Sequence, residues 1–424
     1  MKFTVQYISG KCLARLGCIT EIERLPGEIF ETPLLFLHSK GGSLPHLTYE
    51  VVKLLTKETL CLQVPLSSTL HFQRAVKEFS KGIAEFAGLK EFLMYCTVQD
   101  SAVATPAGYN EKDFVSVWAR SGKTQISAER YMDVMEAFKP DMYQALCDGD
   151  TNENSSKKRV TKALSRSSLL FDECFRRHCN SEVLKGRALL GVVQGGYNLH
   201  LREGSARELA QRDVAGFVID GLHNNGPDAE ALPYDKVRPV VRETIKHLPG
   251  SKFRIVHGCW SPGVVLGLVQ EGVDAFDGSY PFLVTERGSA LTFKHRARPS
   301  SPVCPAETGG RERVEKEENT NSSPTQLKSP QRKGAVDTKY EIPLKEERFA
   351  DDFRPICSDC SCLTCRKHTR AYICHLLNVN ELLGPVLLMI HNTHHYLEFF
   401  KSIRTAIRSD SLQELQVMVQ QHSR

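Results

Sequence analysis

The amino-acid sequence predicts an α/β fold, a (β/α)8 TIM barrel with a C-terminal zinc-binding subdomain, and three observations lead to this prediction. Short, nearly all-apolar runs alternate with amphipathic helical stretches through roughly the first 300 residues, a pattern typical of a parallel sheet covered on both faces. No Gly-x-Gly-x-x-Gly follows an early run, which favours a closed barrel over an open doubly wound sheet. Five of the 14 cysteines lie between Cys357 and Cys374, as in a compact metal site.

Seven runs are expected to form strands because each is short, apolar and rich in β-forming residues. They are TPLLFLH from Thr32, FLMYCTV from Phe92, FVSVWA from Phe114, ALLGVVQGG from Ala188, AGFVIDG from Ala215, FRIVHG from Phe253 and VDAFDGS from Val273. Between several of them lie the amphipathic stretches ISAERYMDVMEAF, LREGSARELAQRD and SPGVVLGLVQEG. In the last stretch Ser261 is suited to cap a helix whose first turn contains Pro262.

Composition divides the chain into three parts. Residues 1–297 carry the alternating pattern and are predicted to form the main part of the barrel. Residues 298–347 are polar, with no aromatic side chain between Pro299 and Asp337, and cannot bury enough surface to offset their ordering entropy. This segment is therefore predicted to be a disordered insertion. Residues 348–424 contain the cysteines and NELLGPVLLMIHNTHHYLEFFKSIRTAI, predicted to be a long helix with Pro385 kinking it or marking its first turn.

Charge and cysteine usage bear on partners and compartment. The 55 basic and 50 acidic residues give a net charge of +5, compatible with an anionic partner but far below the density of a histone-like binder. A polar, basic stretch from Thr151, TNENSSKKRVTKALSRSS, is predicted to be an exposed loop. The N-terminus has no apolar signal-peptide region, and the run LLGPVLLMI is too short to span a membrane. We therefore expect a soluble protein in a reducing compartment, where clustered cysteines are metal ligands more often than disulfide partners.

The cysteine cluster predicts a zinc site. Cys360, Cys362 and Cys365 form Cys-x-Cys-x-x-Cys, a spacing at which three thiolates can converge on one tetrahedral ion. Ordinary buried cysteines and a disulfide framework are the alternatives, but this spacing is rare without a metal in such a chain. The predicted downstream helix offers three candidates for the fourth ligand, His391, His394 and His395. Four protein ligands leave no open position for a substrate, so the zinc is predicted to be structural.

The remaining cysteines of the cluster are interpreted as bystanders. Cys357 would crowd a loop already tied by three ligands, and both it and Cys374 are predicted to be non-ligands. Among the histidines, His391 follows Leu387 by four positions and lies at the edge of the helix's buried face. A ligand there would join the cysteines to the helix, which is what structural zinc does in a segment with little core of its own.

Four ordered motifs give the chain a family resemblance. The cysteines are followed by RAYICHLLNVNELLGPVLLMIHNTHHYLEFF, and upstream lie LGVVQGGYNLHLREGSARELA, GFVIDGL and GVDAFDGSYP. Together they resemble the tRNA-guanine transglycosylases, from about Ile126 to Arg408 apart from the polar insertion. The resemblance implies a (β/α)8 barrel with one structural Zn²⁺. It also implies that His391, in the His-Asn pair, is the fourth ligand beside Cys360, Cys362 and Cys365.

The resemblance also implies a reaction and a set of pocket residues. The family exchanges the wobble guanine of certain tRNAs for queuine or a precursor through a covalent ribose–enzyme intermediate, with one aspartate as nucleophile and a second as acid/base. Asp277 matches the nucleophile's position. Asp148 and Gln194 match positions that read the base, and Gly195 and Gly196 keep the backbone turn beside it.

This sequence departs from the family pattern at several of these positions. The family's second aspartate follows an early strand in an Asp-Ser-Gly-Gly motif; here the stretch reads MYCTVQDSAVA, and Asp100 is nearby but out of register. The glycine that approaches the base is replaced in Asp220-Gly221, and a methionine beneath the base is replaced by His257. A displacement that needs two carboxylates should not proceed with one. Asp277 is therefore interpreted as a vestigial or structural carboxylate.

The departures favour a non-catalytic role. The pattern is similar to the accessory member of the eukaryotic heterodimer, which implies two partners, a catalytic queuine tRNA-ribosyltransferase subunit and tRNA. Alternatives are a self-sufficient transglycosylase, homodimeric and using Asp277 with Asp100, and a zinc-stabilised scaffold with no tRNA role. Arg366, Lys367 and Arg370 are candidates for phosphate contacts, or a solvated loop face. The resemblance further implies a cytoplasmic location with peripheral association at the mitochondrial outer membrane.

Overall fold

The structure is a computed structural model of the 424-residue chain, and it describes residues 1–296 and 340–421. In chain order the strands are β1 (Lys2–Ile8), β2 (Arg15–Thr20), β3 (Phe30–Thr32), β4 (Leu34–His38), β5 (Cys61–Pro65), β6 (Leu93–Thr97), β7 (Val115–Ala119), β8 (Gly122–Ile126), β9 (Met142–Gln144), β10 (Ala188–Val193), β11 (Gly216–Ile219), β12 (Phe253–Val256), β13 (Ala275–Asp277), β14 (Ser289–Leu291) and β15 (Glu341–Pro343). The α-helices are α1 (Tyr49–Val52), α2 (Leu66–Thr69), α3 (Gln73–Phe79), α4 (Ile83–Phe86), α5 (Ala128–Phe138), α6 (Lys157–Asn180), α7 (Leu199–Ala210), α8 (Tyr234–Lys246), α9 (Pro262–Gln270), α10 (Ser279–Glu286), α11 (Leu363–Lys367), α12 (Arg370–Asn378), α13 (Leu383–Arg408) and α14 (Leu412–Gln421). Short 3-10 helices lie at Leu70–Phe72, Pro227–Ala231 and Glu347–Phe349.

Eight strands close into a parallel barrel in the order β4–β5–β6–β9–β10–β11–β12–β13, with β13 pairing with β4. Every residue of β10, ALLGVV, is buried, because the barrel interior covers one face of the strand and helices cover the other. The predicted (β/α)8 barrel is confirmed. Since all eight strands are parallel, the loops that follow them meet at one end of the barrel, called here the barrel mouth.

All seven predicted runs contain strands, and six of them are barrel strands. FVSVWA contributes β7, which pairs antiparallel with β8 in a hairpin outside the barrel. Its outer end and much of β8 are only half-buried or exposed, as expected of a hairpin on the surface. Two barrel strands were missed, CLQVP in β5 and MYQ in β9. Both are short and carry a glutamine, Gln63 or Gln144, that the barrel buries.

A three-stranded antiparallel sheet, β1–β2–β3, precedes the barrel and was not predicted. A buried ion pair joins the sheet to the barrel. Arg15 at the start of β2 donates from Nε to Asp274 Oδ1 at 2.7 Å and from Nη2 to Oδ2 at 2.5 Å. Asp274 immediately precedes β13, and its side chain is fully buried. The paired geometry compensates both charges for the loss of water.

The chain that follows the barrel folds onto it through α13. This helix contacts α10, α11, α12 and β14, and it is buried on all sides from Leu387 to Thr393. Pro385 lies in the first turn of α13, where a missing N–H costs nothing, rather than at a kink. Within the described residues, no helix combines the length and apolarity needed to cross a bilayer.

The two polar segments of the sequence differ in part from their predicted structure. Residues 298–339 of the predicted insertion lie outside the described residues, as does residue 297. Its predicted end at residue 347 is wrong, because Glu341–Pro343 pairs with Ser289–Leu291 and a 3-10 helix begins at Glu347. The stretch from Thr151, predicted to be a loop, becomes helix α6 from residue 157 onward. Ser156 caps this helix by accepting the backbone N–H of Arg159 at 3.2 Å.

Candidate functional site

A cysteine–histidine cluster lies between α11 and α13. Cys360 precedes α11, Cys362 caps its N-terminus by accepting the N–H of Cys365, and His391 projects from the middle of α13. The Nδ1 atom of His391 lies 3.7, 3.6 and 3.2 Å from the three thiol sulfurs in sequence order. All four ligand atoms lie within 4.8 Å of one another, so the cluster could hold a metal ion.

The orientation of His391 is fixed by its other ring nitrogen. Nε2 donates to the carbonyl of Leu291 at 2.8 Å, and the ring is fully buried. This backbone hydrogen bond leaves Nδ1 facing the sulfurs, the arrangement by which proteins commonly orient a metal-binding imidazole. The adjacent Asn392 accepts the Leu291 N–H at 2.8 Å and donates to Ser289 O at 3.0 Å. The His-Asn pair therefore attaches α13 to β14 next to the cluster.

The donor set fits a tetrahedral ion. Bonds of about 2.3 Å to sulfur and about 2.1 Å to nitrogen separate those atoms by about 3.6 Å in a tetrahedron, close to the distances found here. Hydrogen bonds from the Cys360 and Cys365 thiols hold the pKa of Cys362 well below its ordinary value. The same thiol–thiol hydrogen bonds raise the pKa of Cys365, so they favour the thiolate, the form of cysteine that binds metals, at Cys362 rather than at Cys365.

The other candidate ligands, two histidines and two cysteines, lie outside this group of four. His394 Nδ1 is 2.8 Å from the carbonyl of Leu55, and His395 Nε2 is 3.0 Å from that of Phe293. Cys374 lies outside the group, with its sulfur 3.6 Å from the carbonyl of Glu346. Cys357 is nearer and forms a second, three-membered group with His391 and His395. The structure thus brings together the four predicted ligands and leaves Cys357 beside them.

Asp277 ends β13 at the barrel mouth, where the resemblance places a nucleophile. Its Oδ2 accepts the backbone N–H of Gly258 at 2.6 Å, and its Oδ1 accepts that of Ser279 at 3.0 Å. The residue is only 3% exposed. Each oxygen of the carboxylate is therefore held by the protein backbone, which gives Asp277 a structural role in joining the loops after β12 and β13.

Asp100 lies in the loop after β6 and is also buried. Its Oδ1 accepts the N–H of Ala102 at 2.9 Å and lies 3.6 Å from Nδ1 of His38. Burial lowers the pKa of His38 despite the nearby charges of Asp100 and Asp277, so the imidazole is neutral at pH 7. The aspartates are thus neighbours of the same histidine, and Asp100 is tied to its own loop.

Asp148 is surrounded by donors from α6 and the loop before β7. Arg159 donates to both carboxylate oxygens, at 2.5 and 3.0 Å; Arg166 donates at 3.0 Å and Asn110 at 2.7 Å. Burial alone would raise the pKa of Asp148, but the hydrogen bonds from Arg159 and Asn110 outweigh it and the pKa lies below its ordinary value. The carboxylate is charged and fully buried.

Gln194 and the glycines after it form a backbone turn beside Asp220. Gly195 and Gly196 have φ values of +132° and +52°, which glycine adopts without steric cost. Gln194 donates from Nε2 to Asp220 Oδ2 at 2.9 Å. Arg202, fully buried, donates to the carbonyls of Gly196 and Asp220 at 3.0 and 2.6 Å. The guanidinium of Arg202 therefore holds this backbone turn in place.

The cavity that remains at this part of the mouth is small. Its volume is about 50 Å³, and its walls include Gln144, Cys147, Asp220 and His257. His257 contacts Tyr95 through a 2.9 Å hydrogen bond, and burial lowers its pKa. A second cavity of about 610 Å³ lies beside it, over the loops that follow β4, β5 and β6. Small-molecule sites usually have 300–1,000 Å³, so only the second cavity has the size of a ligand site.

Sequence reasoning missed the residues that hold the predicted pocket residues. Arg159 and Arg166 lie in the stretch interpreted as a loop, and their seven-residue spacing on α6 turns both toward Asp148. Asn110 comes from an unpredicted loop. Arg202 belongs to the motif LHLREGSARELA, but nothing in the sequence marks its side chain as buried.

Comparison with known proteins gives the family. A family model described as Queuine tRNA-ribosyltransferase matches residues 10–424. Relatives named Queuine tRNA-ribosyltransferase accessory subunit 2 occur in Aedes aegypti and Danio rerio, each 39% identical over 98% of this chain and over 91% and 97% of the relative. The protein of that name from Homo sapiens is 37% identical over 99% of both chains. The chain belongs to the queuine tRNA-ribosyltransferase family.

Proposed function

We propose that the chain is the non-catalytic subunit of a heterodimeric queuine tRNA-ribosyltransferase, which binds the catalytic subunit and tRNA and supports exchange of the wobble guanine for queuine. The observation that carries the non-catalytic role is the binding of both Asp277 oxygens by backbone amides. These bonds occupy two of the carboxylate's about four lone-pair sites and fix it in a position only 3% exposed, which leaves it without the open approach that a nucleophile needs toward the carbon it attacks. The names of the relatives support the accessory role.

In the described part of the chain, two candidate acid/base groups near Asp277, namely Asp100 and His38, are both buried. Asp100 is engaged by its own loop, and His38 is neutral and buried against the ring of Phe282 at 4.5 Å between ring centroids. Loss of one acid/base group typically lowers a rate by a factor of about 10²–10⁴. The geometry therefore favours an accessory role over a self-sufficient enzyme that uses Asp277 and Asp100.

The binding of a catalytic partner is supported by exposed apolar residues on the C-terminal part. Phe353 is 74% exposed and Leu382 is 85% exposed, and Tyr372 and Val379 are also uncovered. Tyr372 lies on α12, and Val379 and Leu382 lie in the loop that follows it. Phe353 stands between Asp352 and Arg354, whose carbonyls accept the N–H groups of Ala371 and Arg370 at the start of α12. Apolar side chains grouped on one surface mark protein interaction sites more often than scattered ones do. We place the partner's subunit on this surface.

The binding of tRNA is supported by the larger cavity at the barrel mouth. Lys40 and Arg120 stand at its edge, and within residues 1–296 and 340–421 neither side chain has an ion pair or hydrogen bond. Trp118 and Phe72 add aromatic surface to its lining. Free cations next to aromatic rings are what a single-stranded RNA loop needs for phosphate contacts and base stacking.

The metal is proposed to be one structural Zn²⁺ per chain, held by Cys360, Cys362, Cys365 and His391. Three thiolates and one imidazole form a ligand set typical of structural zinc. When bound, the ion would supply cross-linking between the α11 loop and α13 and no chemistry on the substrate. We also propose a cytoplasmic location with peripheral contact at the mitochondrial outer membrane, which fractionation of cells into cytosol and mitochondria tests.

Co-expression with the catalytic subunit tests the main proposal. Native mass measurement should find a heterodimer, and base exchange with labelled guanine and cognate tRNA should occur with the heterodimer but not with this chain alone. Replacement of Lys40 and Arg120 by alanine should weaken tRNA binding of the heterodimer without changing its mass. An unchanged tRNA affinity and rate on adding this chain to the catalytic subunit would instead identify a scaffold without a tRNA role.

A further inference from the structure

A cavity of about 240 Å³ lies at the end of the barrel opposite to the barrel mouth. Its walls come from the turn between β1 and β2, from α8, from the end of α9 and from the start of α14. Helix α9 runs back from the mouth, and its last residue, Gln270, accepts the backbone N–H of Leu13 at 3.0 Å. Sites for drug-sized molecules usually have about 300–1,000 Å³, so this cavity suits a small ligand or a headgroup.

Two arginines on one face of α8 share a single buried carboxylate in this cavity. Arg238 and Arg242 are four residues apart, and both donate to Glu271, whose side chain is 3% exposed. Oε1 of Glu271 accepts Arg238 Nε and the Tyr234 hydroxyl, each at 3.0 Å. Arg242 donates from Nη2 to Oε1 at 3.2 Å and from Nε to Oε2 at 2.8 Å. A carboxylate has about four lone-pair sites, so these four bonds fill the acceptor capacity of Glu271.

The three cations that line the cavity retain donors for a ligand. A guanidinium has five N–H groups, of which Arg238 uses one and Arg242 two in the bonds to Glu271. The two arginine side chains are 45% and 55% exposed, so a ligand can reach them. Lys11 donates to the backbone carbonyl of Asp410 at 2.7 Å, and within residues 1–296 and 340–421 its Nζ pairs with no carboxylate.

The charges at the cavity favour an anion. Its lining has three cations, Lys11, Arg238 and Arg242, and two carboxylates, Glu271 and Asp410. The carboxylate of Asp410 already accepts two hydroxyl groups, at 2.6 and 2.7 Å. The lining therefore has one positive charge in excess, and the donors that remain belong to its cations.

We propose that this cavity binds a phosphoryl anion, either free phosphate or the headgroup of an anionic lipid, through Lys11, Arg238 and Arg242. Guanidinium and ammonium groups are the donors that proteins use for phosphate oxygens. Because Glu271 already fixes both guanidiniums, little side-chain entropy is lost when the anion binds. Leu13 lines the same cavity and is 49% exposed, which gives the alkyl part of a lipid an apolar surface. Phosphoryl binding does not depend on the proposed function, and only the lipid source bears on the proposed membrane contact.

Isothermal titration calorimetry of the zinc-loaded full chain with inorganic phosphate, at an ionic strength matched with sodium chloride, tests the proposal. The wild type should bind phosphate saturably. Lys11→Ala and Arg242→Gln should each weaken binding at least about tenfold, because each removes a charge-assisted hydrogen bond to the anion. Lys246→Ala is the matched control and should bind as the wild type does. Lys246 lies one turn beyond Arg242 on α8, pairs with Glu243 and does not line the cavity.

Flotation with lipid vesicles distinguishes the two sources of the anion. If the ligand is a headgroup, vesicles of phosphatidylcholine that contain phosphatidic acid should carry the wild type, and vesicles of phosphatidylcholine alone should not. The same two variants should then reduce flotation, and the Lys246→Ala control should not. Saturable phosphate binding without flotation would identify free phosphate as the ligand.

Circular dichroism and thermal unfolding show which variants are folded. Lys11 lies in an exposed turn, and its replacement leaves Glu271 and both arginines intact, so Lys11→Ala carries the test if Arg242→Gln does not fold. A wild type that binds neither phosphate nor vesicles with phosphatidic acid would overturn the proposal. Undiminished binding in the folded variants would overturn its assignment to this cavity. Heterodimer mass and tRNA affinity should be unchanged in Lys11→Ala, so a failure of the proposed function would be seen separately.

Discussion

The cysteine–histidine cluster and the barrel mouth both retain residues that the family resemblance marks as functional, but their polar atoms differ in availability. In the cluster, Nδ1 of His391 and three sulfurs face one another, and the backbone holds only the nitrogen that a metal would not need. At the mouth, Asp148 and Asp277 accept hydrogen bonds on both of their oxygens. The binding atoms of the cluster thus lie within 4.8 Å of one another, whereas the oxygens of Asp148 and Asp277 are bonded to other groups of the protein.

The cluster and the barrel mouth also differ in what would stabilise them. The cluster joins the short helix α11 to α13, which packs against the barrel, so a bound ion would contribute to folding. The barrel mouth is already closed by ion pairs and backbone hydrogen bonds, so its carboxylates contribute to stability without a ligand. The two places thus use different residue types, cysteine and histidine at the cluster and aspartate and arginine at the barrel mouth.

Replacing Cys362 by serine should produce the largest effect. Three remaining ligands hold zinc poorly, and structural zinc supplies about 10–16 kcal/mol of binding free energy in small zinc domains. We expect loss of zinc, measured by mass spectrometry of the metal, and a loss of several kcal/mol in unfolding free energy together with loss of the heterodimer. Cys374→Ser is the matched control and should keep its zinc. Full zinc occupancy in Cys362→Ser would show that Cys357 replaces it as a ligand.

Replacing Arg202 by alanine should be nearly as damaging at the barrel mouth. The guanidinium bonds the carbonyls of Val193, Gly196 and Asp220 from a fully buried position. Its removal leaves buried carbonyls unpaired, at about 1–3 kcal/mol each, and creates a cavity. We expect the unfolding free energy to fall by about 3–5 kcal/mol in urea denaturation. A loss below about 1 kcal/mol would show that water replaces the guanidinium freely.

Replacing Arg159 by alanine should make the protein more sensitive to acid. Because the pKa of Asp148 in the folded state lies below its ordinary value of about 3.9, the carboxylate contributes stability that is present above that value. This contribution is lost as the pH falls through the folded pKa. Without Arg159 the acid-unfolding midpoint should move to higher pH, with about 1–3 kcal/mol lost at pH 7 because Arg166 and Asn110 remain. Arg176→Ala, on the exposed part of α6, is the control.

Replacing Asp277 by asparagine in the heterodimer should have the smallest effect on activity. The amide keeps the size of the side chain, although its nitrogen cannot accept one of the two backbone N–H groups. We expect a modest loss of stability and a base-exchange rate within about twofold of the wild-type heterodimer. A nucleophile in use would instead cost a factor of about 10² or more.

The fold was largely predictable because its signal is local. The apolar composition of strands such as ALLGVV directly indicates burial. The cysteine spacing directly indicates the geometry of a ligand group. The missed strands β5 and β9 each bury a glutamine, and the partner of Gln63 is Thr97 on the neighbouring strand β6, which the local pattern does not reveal. The hairpin strand β7 has the composition of a barrel strand, and only its pairing with β8 shows otherwise.

The state of the barrel mouth could be predicted only in part. Substitutions at Asp220 and around Asp277 showed that the pocket had changed. They did not show that Arg159 and Arg166, eleven and eighteen residues after Asp148, donate hydrogen bonds to its carboxylate. Side-chain partners across loops depend on the closed barrel, which places Asp148, Gln194, Asp220 and Asp277 at the ends of β9, β10, β11 and β13.

Base exchange by the purified, zinc-loaded chain without its partner is the most direct test of the central claim. With cognate tRNA and labelled guanine, this chain alone should incorporate no label above background, and an equimolar catalytic subunit should restore incorporation. Sustained incorporation by the chain alone, abolished in Asp277→Asn, would contradict the claim that its carboxylates serve only to hold the barrel mouth together.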